Sequence, residues 1–195
     1  VIAGTTVLNG QTTTALVNLE AQGNESALGF TLAFDPSALT FSSAQPGDAA
    51  SGANILLNTN QASTGRVGII LALGNGNTFG VGSREAVKLS FVASTATGIF
   101  PLTLTDQVVT RCVSDAAAGE LPVSFVGSNI EVISANARPT LAIMRSSNSL
   151  ILSWPTWAGD FALQTAPTLE GASTVWSNTV GSPQTNGGDI QFRGL

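Results

Sequence analysis

The sequence contains no histidine, no tyrosine and a single cysteine among its 195 residues. Without histidine there can be no Ser-His-Asp or Cys-His nucleophilic system, and the usual imidazole metal ligands are missing. The lone Cys112 cannot form an intrachain disulfide. We interpret it as a small core residue on a strand, in preference to a reactive or intermolecular thiol.

Charge is also scarce, because Asp, Glu, Lys and Arg make up only 10% of the chain, against about 25% in ordinary globular proteins. The net charge is −5, and no basic cluster is present that could bind nucleic acid. No run approaches the ~18 apolar residues of a membrane helix, so we expect no membrane insertion. The carboxylates form neither a glycosidase-like pair nor a calcium loop. We therefore predict a protein that is not an enzyme and uses no cofactor.

Apolar and polar residues alternate with a period of two, which is typical of half-buried strands. In the clearest segment Leu28, Phe30, Leu32 and Phe34 form one face, and an Asp-Pro turn ends it at Asp35. Helix signals are nearly absent, so the pattern predicts an all-β sandwich or jelly roll. The other predicted strands of this part are 13–19, 53–57, 66–74, 86–92, 98–105, 121–126 and 129–133.

A polar stretch ending in Pro139 follows the last of these strands. We predict a first domain over residues 1–133, a linker over 134–139 and a small β module over 140–195. The strands predicted in the small module are 140–144, 149–154, 161–164, 174–177 and 189–192. Fewer than sixty residues make a marginal core, so this module is expected to dock against the first domain or a neighbouring subunit.

Three features in order carry a resemblance to a known family. An opening strand pair surrounds Val7-Leu8-Asn9-Gly10-Gln11. The segment Gly29-Phe30-Thr31-Leu32-Ala33-Phe34-Asp35-Pro36 ends in an Asp-Pro turn. The third feature is a series of segments in a fixed order. It begins with Gly65-Arg66-Val67-Gly68-Ile69-Ile70 and a Gly-rich loop. It continues with Val87-Lys88-Leu89-Ser90-Phe91 and Pro101-Leu102-Thr103-Leu104, and it closes with Gly127-Ser128-Asn129-Ile130-Glu131-Val132.

On these motifs, residues 1–133 resemble the cohesins and related carbohydrate-binding sandwiches of bacterial extracellular proteins. The resemblance implies a cohesin-like jelly-roll sandwich that is secreted or displayed at the cell surface. It also implies recognition of a partner protein through one sheet face, the partner of cohesins being the dockerin. Residues 140–195 more loosely resemble small Ig- or fibronectin-like modules. The start at Val1, without Met, suits a mature secreted chain or an excised piece.

Two uncharged segments suggest association. Residues 1–19 carry no charge, although exposed edge strands normally do, so we expect them to pair within their own sheet or, as the less favoured alternative, with a neighbour. In 67–73 both faces are apolar, and something must cover the side of Ile70. The candidate assembly interface consists of Val1, Ile2, Ala3, Thr5, Thr6, Val7, Ile70 and Phe79.

The remaining candidates are aromatic. Phe79 lies in the Gly-rich segment 74–83, which we interpret as a long hairpin loop and not as a phosphate cradle. Its ring is predicted either to cover the end of the sandwich or, less favoured, to be an exposed contact. Trp154 continues a strand and is predicted to be core, whereas Trp157 and Trp176 are the candidate exposed contacts for a polysaccharide.

These observations favour a non-catalytic structural or scaffold protein that associates with copies of itself or with another surface protein. Self-assembly head to tail into a surface filament would fit the scarcity of charge. The alternative is a cohesin-type module that binds a dockerin-like protein or a polysaccharide.

Overall fold

The computed structural model describes residues 1–74, 76–146, 149–179, 181–186 and 189–194, and it is an all-β structure. The chain divides into two compact units, residues 1–135 and 136–195, which are described separately below. Within the described residues there is no helix long and apolar enough to cross a membrane.

The first unit is a sandwich of two sheets. The smaller sheet has the order β1, β3, β8, β5, and its strands are β1 (Ile2–Ala3), β3 (Thr12–Ala21), β8 (Gly82–Ala93) and β5 (Leu39–Pro46). The larger sheet has the order β2, β11, β9, β4, β7, β6, with β10 also paired to β4. Its strands are β2 (Thr5–Leu8), β4 (Glu25–Ala33), β6 (Asn54–Asn58), β7 (Arg66–Ala72), β9 (Gly98–Thr105), β10 (Cys112–Asp115) and β11 (Ser128–Ile133).

The core lies between the inner faces of these two sheets, and the predicted alternation explains it. The inward residues of β4, β7 and β8 are buried, and burying each large side chain contributes about 1.5–3 kcal/mol relative to leaving it in water. The rings of Phe34 and Phe91 meet edge to face, with their centroids 5.4 Å apart. The central inward set is Leu28, Phe30, Leu32, Val67, Ile69, Leu71, Val87, Leu89 and Phe91.

The uncharged N-terminal segment pairs within its own chain, as the favoured prediction had it. Ile2 lies opposite Val17 in the smaller sheet, and β2 then runs parallel to β11 in the larger one. The change of sheet occurs at Gly4, where a Cβ atom would lie 2.8 Å from the Ser128 hydroxyl. A side chain there would therefore obstruct the crossing.

Two predictions about connections in the first unit are wrong. Residues 121–126 form no strand, and Pro122, which has no N–H to donate, lies in this irregular segment. Residues 74–83 were predicted as a hairpin loop, yet β8 already begins at Gly82, and residues 73–81 connect β7 of the larger sheet to β8 of the smaller one. Asn75 lies outside the described residues. Phe79 is buried between the sheets, which draws this connection across the end of the sandwich.

The second unit contains one four-stranded sheet and one two-stranded pair. The sheet has the order β12 (Ala142–Ser146), β13 (Ser149–Pro155), β17 (Asp189–Gly194), β16 (Gln184–Asn186), and the pair is β14 (Gln164–Thr165) with β15 (Ser177–Asn178). Among its described residues, Ile151, Trp154 and Ala158 are the buried apolar ones, while Ile143, Met144 and Val175 are exposed. The small core agrees with the marginal stability expected from its length.

Candidate functional site

The outer face of the larger sheet, meaning the side turned away from the sandwich core, carries an apolar row that crosses four strands. Leu56 of β6 lies opposite Ile70 of β7, which lies opposite Gly29 of β4, which lies opposite Cys112 of β10. The side chains of Leu56 and Ile70 are 66% and 41% exposed. Their exposure is notable because outward positions of a one-sided sheet are normally polar.

Small residues make the rest of this face flat. Ala27 and Ala72 lie opposite each other on β4 and β7, and Gly68 lies opposite Thr31. Val108 and Val109 cover the Gly68 end of this face, whereas at the other end the small side chains of Ala27 and Ala72 leave the sheet level beside Ile70. The face therefore offers a level apolar surface with Leu56 and Ile70 as its projecting side chains.

One end of the outer face is covered by residues 106–111, which connect β9 to β10 and which we call the 106–111 loop. Thr31, fully buried on β4, holds it in place. Its hydroxyl accepts hydrogen bonds from the N–H groups of Val108 and Val109, at 2.9 and 2.7 Å, and donates one to the Val109 carbonyl at 2.9 Å. A Cβ atom at Gly68 would lie 2.8 Å from both valine side chains, so the loop needs a glycine beneath it.

The ends of the 106–111 loop are joined by an ion pair. Asp106 accepts hydrogen bonds from Nε and a terminal nitrogen of Arg111 at 3.0 and 2.9 Å, and from the Arg111 backbone N–H at 2.8 Å. These hydrogen bonds lower the pKa of Asp106 and raise that of Arg111. The guanidinium also lies 5.7 Å from the centre of the Phe125 ring. The bidentate geometry fixes the loop's shape at the edge of the apolar face.

A cavity of about 250 Å³ opens elsewhere in the first unit. Its walls include inward apolar residues of both sheets, such as Val17, Leu28 and Phe30, and the irregular segment 121–125 borders it. Glu25 also lines this cavity. The segment that was wrongly predicted as a strand therefore forms one side of the cavity.

Glu25 is 6% exposed and organises the turn before β4. Its carboxylate accepts hydrogen bonds from the N–H groups of Gln22 and Gly23, at 2.8 to 3.1 Å. Burial by itself would raise the pKa of Glu25, but hydrogen bonds from four backbone N–H groups outweigh burial and lower it. The Glu25 carbonyl accepts a hydrogen bond from the Phe79 N–H at 2.8 Å. This turn therefore also fixes the connection that carries Phe79.

Some of the predicted interface residues lie on the surface and others lie in the core. Ile70 is exposed on the outer face, and Val1 is exposed too, whereas Ala3, Thr5 and Thr6 are half-buried. Their role in assembly stays a prediction. Three positions require correction, because packing against the chain's own core leaves no surface for a partner. These buried residues are Ile2, Val7 and Phe79.

The other predicted side chains are placed as follows. Phe79 covers the end of the core, which was the favoured interpretation. Trp154 is buried as predicted, Trp176 is 53% exposed and Trp157 is half-buried. Their contact with a polysaccharide stays a prediction. Cys112 lies on a strand, but it is half-buried and not a core residue, because its Sγ lies on the outer face above Gly29.

Among the described residues, no group of three or more Cys, Asp or Glu side chains could hold a metal ion. What the arrangement offers is non-covalent binding on an apolar face beside a fixed loop. Sequence reasoning found Ile70 but missed Leu56, Thr31 and the 106–111 loop. The uncharged run 49–65 around the predicted strand 53–57 was a signal for Leu56, whereas no local signal pointed to Thr31 or to the loop.

Comparisons with known proteins bear on the fold. No protein-family model matches the chain, and no curated protein matches it. Among solved structures, it is similar to a type I cohesin–dockerin complex from Clostridium thermocellum, at 14% identity and a TM-score of 0.59, covering 68% of this chain and 96% of that one. It is also similar to the sixth cohesin of scaffoldin B from Acetivibrio cellulolyticus, in complex with a dockerin, at 14% identity and a TM-score of 0.58, covering 68% and 96%.

A third similar structure is a non-cellulosomal cohesin from the archaeon Archaeoglobus fulgidus, at 12% identity and a TM-score of 0.57, covering 69% of this chain and 90% of that one. The covered share corresponds in length to residues 1–135. At these identities the likeness concerns the fold alone, and it leaves the Ig- or fibronectin-like character of the second unit a prediction. The first unit is a cohesin-like β-sandwich.

Proposed function

We propose that this protein is a non-catalytic structural or scaffold module that works by protein–protein association, with the outer face of its larger sheet as the binding surface. The observation that carries the proposal is the exposed pair Leu56 and Ile70 on a flat apolar sheet, bordered by the fixed 106–111 loop. Removing apolar surface from water contributes about 25 cal/mol per Å², so a partner that covers these side chains gains binding energy.

The geometry supports a protein partner more than a small molecule. A flat face offers area but no enclosure, and protein interfaces combine a central apolar patch with a polar rim. The outer face already combines an apolar centre with polar neighbours, because Leu56 and Ile70 lie beside polar Asn54 and Asn58. A fixed loop at its border adds rigidity, which lowers the entropic cost of association.

The partner can be a separate protein or another copy of the chain. A separate protein is favoured by the fold, since two of the similar cohesin structures are complexes with dockerins. Self-association, including head-to-tail assembly into a surface filament, is favoured by the scarcity of charge on the chain. In either case we place the module outside the cell or on its surface. Digestion of intact source cells with an added protease, followed by immunoblotting, tests that location.

The binding role is tested with two matched substitutions. Ile70→Lys puts a charge into the outer face, and Val92→Lys puts the same charge on β8, at a valine with 38% exposure. Columns carrying wild type, Ile70→Lys or Val92→Lys are loaded with the secreted fraction of the source. We expect the same proteins on the wild-type and Val92→Lys columns, and their loss from the Ile70→Lys column. Equal retention on all three columns would contradict the proposed surface.

Polysaccharide binding is the remaining alternative, and it depends on the exposed Trp176 and half-buried Trp157 of the second unit. Aromatic faces stack on sugar rings, so retention on insoluble cellulose should fall in a Trp157→Ala, Trp176→Ala variant. If retention on cellulose is unchanged by Ile70→Lys and lost with the two alanines, glycan binding belongs to the second unit and not to the outer face.

A further inference from the structure

Within the part of the chain that the structure describes, the larger sheet ends in an open strand. The strand order of this sheet terminates at β6, which pairs with β7 on one side. Leu56 and Leu57 of β6 are 66% and 40% exposed, and they point to opposite sides of the sheet. The strand consists of Asn54, Ile55, Leu56, Leu57 and Asn58, with neither charge nor proline.

The other edges of the sandwich are protected by the devices that proteins use against unwanted strand pairing. β5 ends in Pro46 and contains an irregularity between Phe41 and Ser43. β1 and β2 are two and four residues long, and they belong to one segment that passes from sheet to sheet. A five-residue uncharged edge with two exposed leucines is the exception, and it lies within the uncharged run 49–65.

The sequence of β6 is nearly the same in both directions. Read from Asn54 to Asn58 it is Asn-Ile-Leu-Leu-Asn, and read backwards it is Asn-Leu-Leu-Ile-Asn. An antiparallel strand pair relates its two members by a two-fold axis, so a strand of palindromic character is complementary to a second copy of itself. The nearly palindromic strand, β6, is thus the same edge strand that lacks charge, proline and irregularity.

We propose that β6 pairs antiparallel with β6 of a second copy of this chain, about a two-fold axis at Leu56. Leu56 then lies opposite Leu56 of the partner, Asn54 opposite Asn58, and Ile55 opposite Leu57. Directly opposite side chains in such a pair have Cβ atoms about 4.5–5.5 Å apart, which brings the leucines into contact and the asparagine amides within hydrogen-bonding reach. The two larger sheets become one continuous sheet across the dimer.

The pairing has a consequence for the outer face. The apolar row that runs from Cys112 through Gly29 and Ile70 to Leu56 continues into the same row of the partner. Two separate binding faces merge into one of twice the width, and a partner with two binding sites gains effective concentration. The inference rests on the proposed role in association but not on the outer face as the binding surface, because main-chain pairing at an edge does not involve Ile70.

The test uses charge at the two asparagines, whose side chains are exposed. In the proposed dimer, Asn54→Lys with Asn58→Lys places lysines opposite each other, and Asn54→Asp with Asn58→Asp does the same with aspartates. Asn54→Lys combined with Asn58→Asp instead places opposite charges together at both ends of the strand. In a parallel pairing, the same mixed variant would instead place lysine opposite lysine and aspartate opposite aspartate.

Sedimentation equilibrium of the full chain over a wide concentration range gives the readout. We expect dimers for the wild type and for the mixed Lys-Asp variant, monomers for the all-Lys and all-Asp variants alone, and dimers when those two are combined. A wild type that stays monomeric, or an all-Lys variant that dimerises like the wild type, overturns the proposal. A mixed Lys-Asp variant that is monomeric overturns the antiparallel register. Far-ultraviolet circular dichroism confirms that each variant is folded.

Ile70→Lys separates this inference from the proposed binding surface. Ile70 is on β7, one strand away from the edge, so this variant should keep the wild-type dimer while losing partner capture. If Ile70→Lys captures partners normally and the all-Lys variant is monomeric, the edge pairing stands and the binding surface fails. If instead Ile70→Lys loses partner capture and the all-Lys variant dimerises like the wild type, the binding surface stands and the edge pairing fails.

Discussion

The hydroxyl of Thr31 is bonded to Val109 in both directions, accepting from its N–H at 2.7 Å and donating to its carbonyl at 2.9 Å. A single buried side chain on β4 thus satisfies both backbone groups of one loop residue. Val108 donates a third hydrogen bond to the same oxygen at 2.9 Å. Because unsatisfied buried polar groups are costly, the position of the 106–111 loop over the outer face depends on this hydroxyl.

Thr31→Val should therefore destabilise the first unit, while Thr31→Ser should be close to wild type. Valine matches threonine in shape but leaves the N–H groups of Val108 and Val109 without an acceptor, a loss of about 1–3 kcal/mol. Serine keeps the hydroxyl and loses a methyl group. Urea denaturation measures the free energy of unfolding of all three proteins. A Thr31→Val protein as stable as the wild type, with Thr31→Ser destabilised, would show that the methyl group, and not the hydroxyl, is what matters.

Gly68→Ala tests the close approach of the loop to the sheet. The new methyl group would lie 2.8 Å from both Val108 and Val109, and overpacking of this kind costs about 1–3 kcal/mol. Gly74→Ala is the matched control, since nothing lies within 4 Å of a Cβ atom there. Thermal denaturation should show a lower Tm for Gly68→Ala alone.

A double variant identifies the cause of that loss. Combining Gly68→Ala with Val108→Ala removes one of the two obstructing side chains, so the two changes should be less than additive in a double-mutant cycle. Strict additivity would mean that the alanine at position 68 does not act through the Val108 side chain.

The alternation in β4, β7 and β8 was sufficient to predict the sandwich, because burial of one face imposes a period of two on the sequence. The order of the turns and strands was sufficient for the cohesin-like arrangement. Residues 121–126 were predicted as a strand because they alternate as well. Alternation reports which side chains can be buried, and it does not report whether a neighbouring strand is available to pair.

The site was less predictable than the fold. Ile70 could be found because both faces of its strand are apolar, but Leu56 lies on a short strand whose exposure depends on its position at the end of a sheet. The role of Thr31 depends on residues 77 and 78 positions later in the sequence, which fold back over it. Neither strand order nor such a long-range contact is encoded in local periodicity.

The turn that precedes β4 makes stability depend on pH. Hydrogen bonds from backbone N–H groups hold the pKa of Glu25 below its ordinary value in the folded protein. A lowered pKa means that the ionised carboxylate favours the folded state. This contribution is complete above the ordinary pKa of a glutamate and disappears as the pH falls through the lower pKa of the folded protein.

Glu25→Gln should therefore destabilise the protein at neutral pH, by roughly 1–2 kcal/mol, because the neutral amide is a weaker acceptor for the N–H groups of Gln22 and Gly23. The difference from wild type should shrink as the pH falls below the ordinary glutamate pKa, since the carboxyl of the unfolded wild-type chain is then protonated first and that of the folded protein at lower pH. Urea denaturation of both proteins over a series of acidic pH values measures this, with the exposed Glu120→Gln as control. A difference between Glu25→Gln and wild type that is constant with pH would show that the carboxylate charge plays no part. In that case packing, and not the charge of Glu25, would stabilise the turn before β4.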